Sequence, residues 1–246
     1  MTDPRAGAVP LPFPGAVGIS HISAYDWPAA DGVCSGAPHL HLACTEAYVV
    51  THGQGALQTL TLDEGYGEVG LEPGVVAWFA PGTIHRMVDR GGLRVAIVMQ
   101  NNGLPEAGDA VLTFPPEVVA DPRAYAAAAA LPTGAEPVVA AAARRRRDLA
   151  VEGFVRLRNA VRADDLEPLR EFHQAAVELV APHVDLWRKR WEEGPLADAR
   201  RTGELLDALA DADPTHLTDA RVRTTRPTRS GSYGMCGRRD EYDIGS

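Results

Sequence analysis

The pattern of apolar residues changes near residue 117, and this change limits the folds that the chain can adopt. Between residues 17 and 117 the apolar residues come in short runs such as EAYVV and LRVAIVMQ, and turn-forming stretches such as THGQGA and LDEGYGE separate them. Many short strands at regular spacing predict a β-sandwich or a β-barrel. From residue 118 onward, long segments rich in Ala, Arg, Glu and Leu predict helices.

The sequence therefore predicts a mostly β fold, in which a barrel is followed by a helical C-terminal extension. We place an N-terminal arm at residues 1–16, the barrel at residues 17–117 and the helical extension at residues 118–215. Residues 216–246 show no usable periodicity, so we expect an extended or disordered tail there.

The distribution of charge argues against a nucleic-acid partner. Residues 1–120 contain 12 acidic and 4 basic residues, whereas the remainder contains 21 acidic and 20 basic residues. Phosphate binding needs clustered Lys and Arg without compensating acids, and neither part supplies them. The run ARRRRD at residues 143–148 lies between alanines and mixed charge, so we interpret it as a solvated helix face or a linker.

Other features predict a cytoplasmic protein without a membrane partner. The sequence has no apolar run long enough to span a bilayer, and its first residues lack the order of charges and apolar residues that defines a secretory signal. Cys34, Cys44 and Cys236 are too few and too scattered for a disulfide framework. We expect them to be free thiols in a reducing compartment.

A metal site is predicted by histidines and a glutamate in two separated segments. His39 and His41 lie two apart in HLHLACTEAY, so on a strand they project from the same face. Glu46 lies five residues beyond His41, and a turn or bulge must intervene if it is to join them. A Pro-Gly turn in FAPGTIHRM delivers His85 at the start of another strand. Three imidazoles and one carboxylate suit a divalent first-row transition metal.

These residues resemble the two motifs of the cupin superfamily. The first motif, with two histidines, a glutamate and a glycine, is matched in full by His39, His41, Glu46 and Gly53. The second is matched by Gly74, Gly82 and His85. Three turn positions depart from the family pattern, namely Val33 for a leading glycine, Ala80 for a proline and Asp89 for a final asparagine. The resemblance covers residues 15–115 and leaves the helical segment unexplained.

The resemblance implies a single-barrel, jelly-roll cupin, also called a double-stranded β-helix, that binds one divalent transition metal ion. It favours Fe(II), with Mn, Ni, Co, Cu or Zn as other candidates. It implies a small-molecule substrate and a homodimer. We expect a mononuclear, dioxygenase-type oxidoreductase that acts on a small oxygenated metabolite. One alternative is a non-redox sugar isomerase, epimerase or lyase, and another is a sensor or binding cupin without catalysis, because the fold alone does not choose among them.

Six further residues are candidates for roles beside the metal. Tyr48 lies two residues beyond Glu46 and shares the ligand face of a regular strand, and Gln100 ends its strand near the expected mouth of the barrel. We assign these two as catalytic candidates, although Tyr48 could equally be a packed aromatic residue. The candidates for substrate binding are His21, Gln58, Arg94 and Trp78.

Overall fold

The computed structural model describes residues 13–244, which form an antiparallel sheet of nine strands and six α-helices. Residues 1–12 of the expected N-terminal arm lie outside the described residues. The strands are β1 (Gly18–Ala24), β2 (His39–His41), β3 (Glu46–Thr61), β4 (Gly65–Leu71), β5 (Val76–Phe79), β6 (Ile84–Met99), β7 (Ala110–Leu112), β8 (Arg229–Tyr233) and β9 (Gly237–Glu241). The helices are α1 (Pro116–Val119), α2 (Pro122–Ala129), α3 (Glu136–Arg162), α4 (Glu167–Val180), α5 (Val184–Trp191) and α6 (Ala197–Ala210).

Strands β3 and β6, each of 16 residues, form the centre of the barrel. The main path of the sheet runs β4-β3-β6-β1-β9-β8, while β2 pairs with β6 and β7 and β5 pairs with β3. The register between β3 and β6 shifts at Val50/His52 and around Gln54, opposite Gly91 and Gly92. Such bulges bend a strand and increase its twist. The short antiparallel strands and the helices after them confirm the predicted barrel with a helical extension.

Two hydrophobic cores lie on opposite faces of these strands. One contains Leu57, Met87 and Val95 together with Tyr48. The other packs Leu60 and Ile84 against the helices, with Phe154 of α3 and Leu169 of α4. Of the described residues, 41% are helical and 30% are in strands, and most of the helical residues lie between Pro116 and Ala210.

A glycine allows α3 to approach the barrel closely. A Cβ atom built on Gly153 would lie 2.0 Å from the carbonyl oxygen of Thr113. The Thr113 hydroxyl donates a hydrogen bond to the carbonyl oxygen of Ala150 at 2.8 Å. Backbone and side-chain contacts therefore join α3 to the end of the barrel.

The segment after α6 returns to the barrel as a hairpin. Strand β9 pairs with β1, and β8 pairs with β9, so the hairpin extends the main sheet. Cys236 in the hairpin turn is 5% exposed. Its backbone packs closely on Gly36, since a Cβ atom built on Gly36 would lie 2.5 Å from the Cys236 Cα. The tail for which we expected extended or disordered chain thus contains two strands of the barrel sheet.

The arginine run on α3 is not entirely a solvated face. Arg144 and Arg145 are exposed, but Arg147 is 1% exposed and donates hydrogen bonds to the carbonyl oxygens of Trp27 at 2.8 Å and Pro28 at 2.9 Å. The interpretation of this run from the sequence is therefore wrong at Arg147, because carbonyl groups of the loop after β1 solvate its guanidinium group in place of water.

The three cysteines are free, as predicted. Within residues 13–244, no helix has the length and apolar character needed to cross a bilayer.

Candidate metal centre

Four buried side chains converge at one end of the barrel. His39 and His41 lie on β2, Glu46 is the first residue of β3, and His85 is the second residue of β6. One potential ligand atom from each of these residues lies within 4.8 Å of those from the other three. The structure therefore brings together the four residues that the sequence spacing selected.

A turn between β2 and β3 brings Glu46 to the histidines. Strand β2 ends at His41, and the carboxylate of Asp109 accepts the backbone N–H groups of Leu42 at 3.1 Å and Ala43 at 2.7 Å. These two hydrogen bonds stabilise the turn between β2 and β3. The turn that the spacing from His41 to Glu46 required is confirmed.

The hydrogen bonds at the far side of each imidazole ring fix its tautomer. Nδ1 of His39 contacts the Ala37 carbonyl oxygen at 2.9 Å, and Nδ1 of His85 contacts the Thr83 carbonyl oxygen at 3.1 Å. Nδ1 of His41 contacts Oδ2 of Asp109 at 3.0 Å. Because each partner is an acceptor, each Nδ1 carries a proton and donates. In a neutral ring the Nε2 atom then presents a lone pair toward the centre of the cluster.

The distances between the inward-facing atoms fit a bound cation. His39 Nε2 and His85 Nε2 lie 3.1 Å apart, and Glu46 Oε2 lies 3.2 Å from both His41 Nε2 and His85 Nε2. Ligands bound at about 2.1 Å, with about 90° between neighbours, are separated by about 3 Å. Two lone pairs cannot hydrogen-bond to each other, so the close approach of His39 Nε2 and His85 Nε2 is favourable only with a cation or a proton between them. The cluster can therefore hold a divalent metal ion.

Burial and neighbouring charges set the protonation of these ligands. Burial, together with His85 and His41, lowers the pKa of His39 well below its usual value, so this ring is neutral at pH 7. Burial also opposes charge on His41, but hydrogen bonds to Asp109 and Glu46 raise its pKa to about 9. Burial would raise the pKa of Glu46, but His85 and His41 lower it. Without metal, His41 and Glu46 hold a proton that a bound ion displaces.

Asp109 is a positioning residue that the sequence analysis missed. Its side chain is fully buried, and it fixes both the His41 ring and the turn that leads to Glu46. It lies 68 residues from His41 in the sequence, so no local spacing pattern pointed to it. A carboxylate that accepts a hydrogen bond from a ligating histidine fixes the ring orientation and makes the ring a stronger donor to metal.

We expect Asp109→Asn to lower the affinity for metal by about 10- to 100-fold, the usual cost of changing a group that orients a metal ligand. The amide keeps the size of the carboxylate but lacks its charge. Competition against a chromophoric chelator measures the affinity, and Asp63→Asn, in the exposed turn before β4, makes the same charge change as a control. Equal affinities of Asp109→Asn and the wild-type protein would show that Asp109 does not support the ligand.

A cavity of about 390 Å³ opens above the cluster. His39, His41 and Glu46 form its floor, and the C-terminal hairpin forms much of one wall with Met235, Cys236, Arg239, Glu241 and Tyr242. Arg190 of α5 and Arg239 of β9 are the arginines among the described lining residues. The hairpin residues gave no signal in the sequence, since they lie far from both motifs in the chain.

Of the two catalytic candidates, one lies beside the metal ligands. Tyr48 is fully buried, its ring centroid is 6.3 Å from that of His85, and its hydroxyl lies 3.6 Å from Cys236 Sγ. Gln100 is exposed, does not line the cavity, and uses its side-chain oxygen to accept the Thr45 N–H at 3.2 Å.

The four substrate-binding candidates do not line the cavity. His21 is exposed and contacts the Tyr242 hydroxyl at 2.8 Å, because its neighbour Ile22 occupies the inner face of β1. Gln58 is buried on the opposite face of β3 and donates to Glu68 at 3.0 Å. Arg94 is exposed, and Trp78 is 70% exposed on β5.

The antiparallel jelly roll is the cupin fold, a double-stranded β-helix, that the two motifs indicated, and its three-histidine, one-glutamate cluster fits the ligand pattern of those motifs. The strands before the helices form most of this barrel, and the C-terminal hairpin adds two more strands to its sheet. No protein-family model matches the sequence, and no curated protein matches it.

Solved structures that are similar to the chain cover only about a third of it. They include the capsular polysaccharide assembling protein CapF from Staphylococcus aureus, with 19% identity, a TM-score of 0.25, and coverage of 34% of this chain and 21% of that chain. A variant of Streptomyces PAC13 with uridine has 14% identity, a TM-score of 0.27, and coverage of 38% and 63%. A Klebsiella pneumoniae protein with a double-stranded beta-helix domain has 18% identity, a TM-score of 0.24, and coverage of 34% and 62%. The matched region spans less than two thirds of each of these proteins.

Proposed function

We propose that this protein is a mononuclear metal-dependent oxidoreductase of the dioxygenase type that acts on a small oxygenated metabolite. The observation that carries this proposal is the convergence of three imidazole Nε2 atoms and one carboxylate oxygen, with His39, His41 and Glu46 lining an open cavity. Four protein ligands leave two positions of an octahedral ion for small molecules.

The residues of the chain hold and orient the ion. His39, His41, Glu46 and His85 would bind it, and Asp109 would keep the His41 ring in the ligating orientation. A bound Fe(II) or related ion would activate dioxygen or polarise an oxygen of the substrate.

Two protonated groups lie below the ligands. Burial raises the pKa of the Tyr48 hydroxyl well above its usual value and that of the Cys236 thiol to about 12. Both groups therefore keep their protons at pH 7. Tyr48 does not line the cavity and contacts Cys236 Sγ, which does, so its role is to support the cavity wall, and the apolar core around it excludes water from this side of the site.

In a cavity lining that also contains Glu106, Glu241 and Asp243, the donor groups of Arg239 support a substrate with an anionic oxygen. Arg239 pairs through Nη2 with Glu241 at 2.9 Å, while its Nε atom is buried without a hydrogen-bond acceptor among residues 13–244. A buried donor without a partner carries a desolvation cost of about 1–3 kcal/mol, which an acceptor on a ligand removes. We therefore favour metabolites that carry a carboxylate next to a hydroxyl or keto group.

Oxygen consumption tests this proposal. We expect the Fe(II)-loaded protein to consume dioxygen when small hydroxy- or keto-carboxylates are added, and Arg239→Met to raise the KM for the active compound more than it lowers kcat. Arg229→Met, on the exposed strand β8, is the matched control and keeps the wild-type KM. Substrate turnover without oxygen consumption would replace the redox proposal with isomerase or lyase chemistry at the same ligands. No turnover of any compound by metal-loaded protein would leave a binding cupin.

A further inference from the structure

A second cavity, of about 330 Å³, lies between the barrel and the helical extension. Its walls come from β7, α2, α3 and α4, and none of the four metal ligands lines it. Its apolar lining includes Val111, Leu112, Ala126, Leu179, Val180 and Met235. Ala110 and Met235 also line the metal cavity, so they form a wall that the two cavities share.

This apolar cavity contains one arginine and no acidic residue in its described lining. The guanidinium group of Arg146 donates to the Gly234 carbonyl oxygen at 2.9 Å and to the Ala129 carbonyl oxygen at 3.4 Å. Its Nε atom is buried without an acceptor, and no carboxylate among residues 13–244 forms an ion pair with it. A guanidinium group stays protonated even where burial lowers its pKa. Arg146 is therefore a partly buried cation without a counter-charge.

Tyr125 of α2 supplies a second donor to the lining of this cavity. The Tyr125 hydroxyl accepts the backbone N–H of Leu112 at 2.9 Å, and its own hydrogen has no acceptor recorded among the described residues. Burial raises the pKa of this hydroxyl, so it keeps its proton. The cavity thus contains a cation and a hydroxyl donor, and apart from His183 the other lining side chains are apolar.

We propose that this cavity is a second binding site, which takes a small amphipathic monocarboxylate such as a medium-chain fatty acid. The ligand carboxylate accepts hydrogen bonds from Arg146 and Tyr125, and its chain lies against Val111, Leu179 and Val180. The carboxylate supplies the missing counter-charge, and a charge-assisted hydrogen bond to guanidinium is among the stronger ones in proteins. The volume is near the lower end of the roughly 300–1,000 Å³ that ligand pockets occupy, which favours a medium chain over a long one.

Calorimetric titration with octanoate and with octan-1-ol tests the charge requirement. We expect octanoate to bind the wild-type protein saturably and Arg146→Met to bind it at least about tenfold more weakly, since the variant loses a charge-assisted hydrogen bond to the carboxylate. Arg146→Met is expected to fold, because the Gly234 carbonyl oxygen still accepts from the Tyr25 hydroxyl at 2.9 Å. Arg145→Met, one residue away and exposed, makes the same charge change and keeps the wild-type affinity.

A second variant locates the ligand. Ala126 lies on the exposed side of α2 and lines only the second cavity, so Ala126→Phe obstructs this cavity without altering the metal centre. We expect this variant to lose octanoate binding although Arg146 is intact. Any of three results would overturn the proposal: no saturable binding of octanoate to the wild-type protein, equal affinities for octanoate and octanol, or unchanged binding to Ala126→Phe, which would place the carboxylate at the metal instead.

Discussion

Glu46→Gln will leave the protein folded but unable to retain its metal ion. Glu46 supplies the only anionic ligand of the four, and the amide that replaces it has the same shape without the charge. Loss of a direct ligand should exceed the roughly 100-fold upper cost of changing a supporting residue. Inductively coupled plasma mass spectrometry should therefore find about one equivalent of metal in the wild-type protein and only traces in the variant.

Thermal unfolding provides an independent measure of the same loss. An ion that binds only the folded state stabilises it by about 2.7 kcal/mol at a free concentration 100 times its Kd. The Tm of the wild-type protein should rise when Fe(II), Mn(II) or Zn(II) is added, and that of Glu46→Gln should not. Glu64→Gln, in the exposed turn before β4, should respond as the wild-type protein does. Full metal retention by Glu46→Gln would show that the four residues do not form the metal site.

Asp31→Asn should destabilise the fold by about 1–3 kcal/mol, because the fully buried Arg86 loses its anionic partner while water at the exposed Asp31 position compensates in part. The Arg86 side chain is fully buried and donates to both carboxylate oxygens of Asp31, at 2.7 and 2.9 Å, and to the Ser35 hydroxyl at 2.8 Å. Urea unfolding measures the loss. Asp63→Asn makes the same charge change at an exposed position and should leave stability unchanged.

The effect should depend on pH in a defined direction. Burial would raise the pKa of Asp31, but the Arg86 guanidinium lowers it below its usual value of 3.8. A carboxylate with a lowered pKa in the folded state stabilises that state above its unfolded pKa, and this contribution is lost as the pH falls. The difference between wild-type protein and Asp31→Asn should therefore be constant from about pH 7 to about pH 5 and shrink below about pH 4.

A further variant separates charge from packing at this position. Asp31→Asn combined with Arg86→Met should regain part of the lost stability, because the double variant no longer buries an unpaired charge. A single variant Asp31→Asn that is as stable as the wild-type protein would contradict the assignment of Arg86 as a buried cation that depends on this carboxylate.

The parts of the site that the sequence predicted are those with a local pattern. Two histidines on one short strand and a glutamate after a tight turn have fixed spacing, and the Pro-Gly turn places His85 in a similar way. Asp109 and Arg239 reach the site only through tertiary packing. Their distance in sequence from the ligands is set by loops and helices of no fixed length, so their role could not be predicted from spacing.

Strand alternation explains why other candidates were misplaced relative to the cavity. Alternation separates the two faces of a strand but does not show which face is inward. The sequence therefore favours His21 as a substrate-binding residue, whereas its neighbour Ile22 lines the cavity. At the start of β3, Glu46 and Tyr48 point to the site. The register shifts near Gln54 reverse which residues of the strand face inward, so that Leu57 packs in the same core as Tyr48 although it lies an odd number of residues away. Gln58, an even number of residues from Glu46, therefore points to the other side. A bulge of this kind has no reliable signature in a single sequence.

Two segments that are far apart in the sequence line the metal cavity, because the C-terminal hairpin forms much of one wall. The residues that could hold a metal lie within residues 39–85 and are supported by Asp109, whereas much of the cavity wall comes from residues 228–244. Substitutions in the second stretch should change which molecules enter without releasing the ion, since the hydrogen bonds that orient the ligand histidines come from Ala37, Thr83 and Asp109. The specificity of the cavity could accordingly be altered by randomising the hairpin while selecting only for retained metal.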